Sequence, residues 1–212
     1  MHQRLLPLLL PHIDFAHSRV LCLIAGWGAI LAEKVMSAKG TEVSLEKEIA
    51  ALSASLGQKL QALGWQVTTA ESCTGGAIAA AITSVAGSSG WFEGAIVSYA
   101  NRIKRDLLGV DQKDLDEFGA VSEPVVRQMA MGVLNRLDAN LSVAVSGIAG
   151  PDGGSEEKPV GTVWIAWAHG EGQEPMTIDA RRLQLSGSRH EIQARTVVEA
   201  LKGLLIIVAE HE

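Results

Sequence analysis

Residues 71–76 read Glu-Ser-Cys-Thr-Gly-Gly, between an apolar run, WQVTTA, and an alanine-rich run, AIAAAIT. A strand-to-helix turn of this kind exposes backbone N–H groups, where anions are stabilised. Three readings fit. Ser72 could be a nucleophile whose developing oxyanion meets those N–H groups. The turn could instead cradle a phosphate. Or its serine, threonine and glycines could only cap and tighten a turn. Two common motifs do not match. A Walker A loop needs GxxxxGK[ST], and a nucleophile elbow needs GxSxG, where this chain has Ala70 and Thr74.

A serine nucleophile needs a base. The histidines at 2, 12 and 17 crowd the amino terminus, His211 is next to last, and His169 and His190 fall at a strand end and a helix start. Lysine is the other option, as in Ser–Lys pairs. The stretch YANRIK supplies Tyr99 and Lys104 at a strand-to-helix junction. Lys104 would have to lose its proton, which burial or a neighbouring cation favours. Taken alone, Lys104 reads as a solvated helix lysine and Tyr99 as a core ring. Cys73 lacks a histidine partner and reads as a small buried residue. Ser146 ends the run LSVAVS and opens the long loop GIAGPDGGSEEKPVG. That puts it at a carboxyl end of the sheet, where α/β proteins bind ligands. Arg189 follows Ser186, Gly187 and Ser188 at a helix start, where it could hold a phosphate or simply face solvent.

The elements that must position these residues are legible from periodicity. Leu45, Ile49, Leu52, Leu56, Leu60 and Leu63 trace one helix face, with Ser44 as a candidate cap and Gly64 as its end. WQVTTA reads as a strand, residues 76–84 as a helix, and AGSSG as a loop. EGAIVSY is a second strand, and NRIKRDLLG is a short helix closed by Gly109. SEPVVRQMAMGVLNRLD is a helix with Ser122 as candidate cap and Pro124 in its first turn. LSVAVS, TVWIAWA and TIDARRLQL are strands, and a last helix runs from about Ser188 to Val208. Strand–helix alternation followed by paired strands predicts a three-layer α/β/α domain with a mixed sheet.

The bulk composition narrows the function. A net charge of -6 argues against a nucleic-acid partner held by broad phosphate contacts. Two cysteines are too few for a disulfide framework and suit a reducing cytoplasm. There is no CxxC or HExxH, so no metal site is expected. Within residues 1–40 neither LLPLLL nor VLCLIAGWGAILA reaches the roughly 18–20 apolar residues of a membrane span, and no membrane partner is expected. That segment fits a signal peptide only loosely. It is read as an addition to the fold, disordered or upstream of a true start at Met36, with a single domain over 44–210.

Taken together, TTAESCTGG, AGSSGWFEGAIVSYANRIKRDLLGV, GAVSEPVVRQMA and SVAVSGIAGPDGGSEEKPVGTVWIA closely resemble the carboxy-terminal domain of the competence/damage-inducible CinA family. The resemblance runs from about residue 44 to the end. Members include stand-alone nicotinamide mononucleotide amidohydrolases. The resemblance implies a three-layer fold, a homo-oligomer, and hydrolysis of the nucleotide's carboxamide without metal or cofactor. It implies Ser72 as nucleophile and Lys104 as base, with Tyr99 and Ser146 assisting. It also implies Glu71, Thr74, Gly75, Gly76, Ser89 and Arg189 as substrate contacts. Where relatives often read GDR, this chain reads GSR at 187–189. The competing expectation is a non-catalytic nucleotide-binding or regulatory module of the same fold.

Overall fold

The structure is a computed structural model and describes residues 44–170 and 177–212. The readings made for residues 1–40 lie outside the described residues. Helix α1 covers residues 44–63, and Gly64 closes it with a left-handed φ of +69°. The chain then alternates through β1 (Val67–Glu71), α2 (Ala77–Thr83), β2 (Phe92–Val97), α3 (Asn101–Leu108), α4 (Gln112–Phe118) and α5 (Glu123–Leu137). It continues through β3 (Leu141–Gly147), β4 (Thr162–His169), β5 (Thr177–Gln184) and α6 (Arg189–Glu210). The strand order is β2-β1-β3-β4-β5. β1 runs parallel to β2 and β3, while β4 is antiparallel to both its neighbours. The expected mixed sheet and α/β/α layering are therefore present.

The two faces of the sheet differ in side-chain size. Val143, Val145, Ile165 and Trp167 pack against α1, α2 and α6 through Leu56, Leu60, Ile78, Ile82, Leu201 and Leu204. The opposite face presents Ala70, Ala144, Ala166 and Ala168 to α5, whose Val126, Met129 and Val133 are fully buried. Period-two alternation along each strand produces this split. Small side chains on one face let α5 lie close to the strands that carry the site.

Three features depart from the sequence pattern. α4 buries only Leu115, so it has no apolar stripe to betray it. The AGSSG segment, expected as a plain loop, contains a 3-10 turn at Ser88–Gly90. Ser122 sits at the start of α5 but does not cap it with its side chain; its hydroxyl donates to the Gly119 carbonyl at 2.7 Å. Among the described residues no helix is long and apolar enough to cross a membrane.

Gly132 fixes the spacing between α5 and α3. A Cβ there would lie 1.9 Å from the Leu108 carbonyl oxygen and 2.7 Å from its carbon. The obstacle is backbone, so a helix must move. Gly132→Ala should therefore destabilise the fold by ~1–3 kcal/mol, despite alanine's better helix propensity. A chemical-denaturation midpoint checks this.

Candidate active site

β1, β2 and β3 end together, since Glu71 pairs with Val97 and Val145. The chemistry-bearing residues follow at that edge. Alternation sends Glu71 and Ser72 to opposite faces. Glu71 turns toward α2. Ser72 lies on the α3 and α5 side, where Lys104 waits on α3.

Lys104 is 1% exposed. Its Nζ donates to the carbonyls of Ser98 at 2.6 Å and Tyr99 at 3.3 Å, and lies 3.1 Å from Ser72 Oγ. Among the described residues no carboxylate is in ion-pair distance of it. Burial lowers its pKa from the usual 10.5 to about 8. A neutral lysine has two N–H bonds and one lone pair. The two carbonyls match the N–H bonds, which leaves the lone pair for the serine hydroxyl. The solvated helix lysine read from the residue taken alone does not hold: Lys104 is buried, with its Nζ against Ser72 and the carbonyls of the β2–α3 junction.

Cys73 is also buried, and burial pushes its thiol up to about 12. It is held as a thiol and is no candidate nucleophile at neutral pH. Its carbonyl accepts from Gln193 Nε2 at 2.8 Å, so α6 grips the turn directly behind Ser72.

Glu71 does not face the cleft. It is completely buried, and its carboxylate accepts from Thr74 Oγ1 and from the amides of Gly76, Ile78 and Ala79. The anion at the start of α2 is therefore the protein's own. The phosphate-cradle reading of the turn thus has no amide left to it at Gly76, Ile78 or Ala79, and the Glu71 carboxylate, the Thr74 hydroxyl and the Gly76 amide, expected at the substrate, bond to one another instead. Gly75, with φ +65°, gives its N–H to the Ser72 carbonyl. The amides of Cys73 and Thr74 take no oxygen acceptor among the described residues.

A cleft of about 200 Å³ opens over Ser72 and Lys104. Tyr99, Asn101, Ala120, Val121, Ser146 and Arg189 are among its walls. Sequence reasoning missed Asn101, Ala120 and Val121, which carry no motif of their own. Ser146 reaches the cleft, but its hydroxyl donates to the Ala120 carbonyl at 2.7 Å and not to Lys104. It holds the cleft wall. Tyr99 contacts Lys104 through its carbonyl. Its hydroxyl, on a side chain that projects outward, instead accepts from Arg189 Nη2 at 3.3 Å. Tyr99 is therefore not a core ring, and its hydroxyl is bonded to Arg189 and not to Lys104. Arg189 Nη1 donates to the Gly150 carbonyl at 2.8 Å, and Ser188 with Glu191 forms a capping box that sets the start of α6. Ser89 is not brought to the cleft. It precedes β2, at the strand end where Phe92 pairs with Val67. A larger cavity of about 370 Å³ shares Val121 with the cleft. The hydroxyl of its lining serine, Ser122, is given to the Gly119 carbonyl.

Among the described residues no group of three or more His, Cys, Asp or Glu could hold a metal ion. Fold and cleft together define an α/β/α domain built around a buried lysine that faces a serine. The chain belongs to the CinA C-terminal domain family, whose model matches residues 49–208. It is 51% identical over 160 residues to the nicotinamide-nucleotide amidohydrolase PncC of Enterobacter agglomerans, covering 76% of this chain and 95% of that one. It is 48% identical over 162 residues to the same-named protein of Pseudomonas putida, covering 76% and 98%. Among solved structures it resembles the competence/damage inducible protein CihA from Agrobacterium tumefaciens, with a TM-score of 0.72 and 44% identity. That match covers 76% of this chain and 96% of the other.

Proposed function

We propose that this chain is a nicotinamide-nucleotide amidohydrolase that converts nicotinamide mononucleotide to nicotinate mononucleotide and ammonia. The relatives supply the reaction class. The observation that carries the mechanism is the 3.1 Å contact between Lys104 Nζ and Ser72 Oγ, made by a lysine 1% exposed.

In the proposed reaction, neutral Lys104 takes the proton of Ser72 as Oγ attacks the carboxamide carbon. The carbonyl oxygen becomes an oxyanion, and the amides of Cys73 and Thr74 are the donors on the turn left to meet it. The C–N bond then breaks, and Lys104 passes its proton to the departing nitrogen, which leaves as ammonia. Water attacks the resulting ester, giving its proton to Lys104. The carboxylate product leaves and Ser72 regains its hydrogen. Neither metal nor cofactor takes part.

Arg189 stands at the mouth of the cleft and is the group to hold the anionic end of the nucleotide. Arg189→Met should raise KM by ~10-fold or more while kcat changes little, because a remote charged contact is made equally in ground and transition states. Steady-state kinetics separate the two parameters. The expected setting is a cytoplasmic homo-oligomer acting on a small molecule, without nucleic-acid or membrane partners.

The test is direct: incubate the chain with nicotinamide mononucleotide and quantify ammonia and nicotinate mononucleotide. Equal amounts of both are expected. Binding of the nucleotide with no ammonia released would favour a non-catalytic nucleotide-binding module.

A further inference from the structure

Glu71 takes no part in the chemistry proposed above, yet its carboxylate is bonded on every side. Thr74 Oγ1 donates at 2.6 Å, Ala79 N at 2.8 Å, Gly76 N at 3.0 Å, Ile78 N at 3.1 Å and Thr69 Oγ1 at 3.3 Å. The side chain is wholly buried. Among the described residues no cation is in ion-pair distance of it. Burying an unpaired carboxylate is costly. Here backbone amides at the start of α2 and two hydroxyls offset that cost. A turn needing only a cap would be served by a surface serine or aspartate. A buried glutamate instead ties both ends of the turn together: its own backbone ends β1, and its carboxylate anchors residues 74–79. Ser72 is the residue caught between.

We infer that Glu71 is the positioning residue of the nucleophile turn, its internal carboxylate fixing residues 74–79 and thereby the direction of Ser72 Oγ toward Lys104. The inference rests on the Ser72–Lys104 reading proposed above. Glutamine at 71 keeps the length but offers one acceptor oxygen. Its NH2 group would face amides that can only donate. The turn must then relax, and Ser72 shifts off line. A displacement of about 1 Å at a reacting atom costs ~10²-fold in rate.

The test compares Ser72→Ala, Glu71→Gln and Thr74→Val, with kcat, KM and the pH profile measured for each and folding checked by circular dichroism. Thr74→Val removes a single donor to the carboxylate and preserves the β-branched shape. For Glu71→Gln, kcat should fall ~10²-fold with KM within about threefold of the parent. The rising limb of the pH profile should stay in place, because the Ser98 and Tyr99 carbonyls that hold Lys104 are untouched. Thr74→Val should lose ~10-fold in kcat. If Ser72→Ala is inactive while Glu71→Gln and Thr74→Val keep kcat within about threefold, the carboxylate serves stability alone and the inference is overturned. If Glu71→Gln does not fold, Thr74→Val decides on the same criterion. Turnover by Ser72→Ala would overturn the underlying reading, and the inference with it.

Discussion

Methionine in place of Lys104 should abolish turnover and change how stability responds to pH. The kinetic half follows from the loss of the base: general-base catalysis contributes ~10²–10⁴-fold. With the pKa of Lys104 at about 8, ~10% of the parent enzyme is competent at pH 7 and ~90% at pH 9, so kcat/KM of the parent should rise ~10-fold across that range. The methionine variant should show no such rise. The stability half follows from linkage. Between about 8 and 10.5 the unfolded lysine binds more protons than the folded one, so stability of the parent rises with pH through that window. Below it the buried charge costs the fold up to about 3 kcal/mol, a figure set by the displacement from 10.5 to about 8. Methionine removes this penalty but leaves the Ser98 and Tyr99 carbonyls without their donor, returning ~1–2 kcal/mol. The variant should thus be at least as stable as the parent at pH 7, and by pH 10.5 the balance should reverse, leaving it the less stable by ~1–2 kcal/mol. Denaturant titrations at several pH values would show it. An identical pH dependence in both proteins would mean that Lys104 is charged and solvated.

Ser72→Ala carries the other large effect. It removes one hydroxyl from a half-buried position and leaves Lys104 bonded to both carbonyls. Folding should be unaffected, and nucleotide affinity should stay near that of the parent, because Arg189 and the cleft walls remain. Turnover should fall ~10³-fold or more, since without the nucleophile no ester can form. Calorimetric binding beside an ammonia assay separates the two quantities. Near-normal turnover would transfer the nucleophile role to another cleft group, with Ser146 the nearest remaining serine in the lining.

Much of the fold was legible because its elements obey simple periods. The leucines of α1 recur at helical spacing, and the strands alternate or run apolar. α4 was invisible because one buried leucine makes no pattern. The site was legible where a motif marks a turn: Ser72 lies between strand and helix, and Arg189 opens α6. Lys104 was visible only as a residue type, since nothing in YANRIK says that its side chain folds inward onto two carbonyls. Glu71 entered as a substrate contact through the family resemblance, and its place in the sequence could not have corrected that. Whether a carboxylate at a turn faces substrate or the helix behind it depends on strand parity at the last residue, which one residue of boundary error reverses. Ser146 was placed at the correct edge, but its hydroxyl is taken by the Ala120 carbonyl, a partner supplied by a segment with no motif. Ser89 lies at the far end of β2 for a topological reason. The residues before a parallel strand and those after its neighbour emerge at opposite edges of the sheet.

The most direct measurement is to trap the ester. Rapid acid quenching during turnover of nicotinamide mononucleotide, followed by peptide mapping, should reveal the nicotinate-nucleotide acyl group on the peptide bearing Ser72. The adduct should be absent from Ser72→Ala and from Lys104→Met. Turnover with no adduct at any time point, or an adduct on Cys73 or Ser146, would contradict the serine–lysine mechanism.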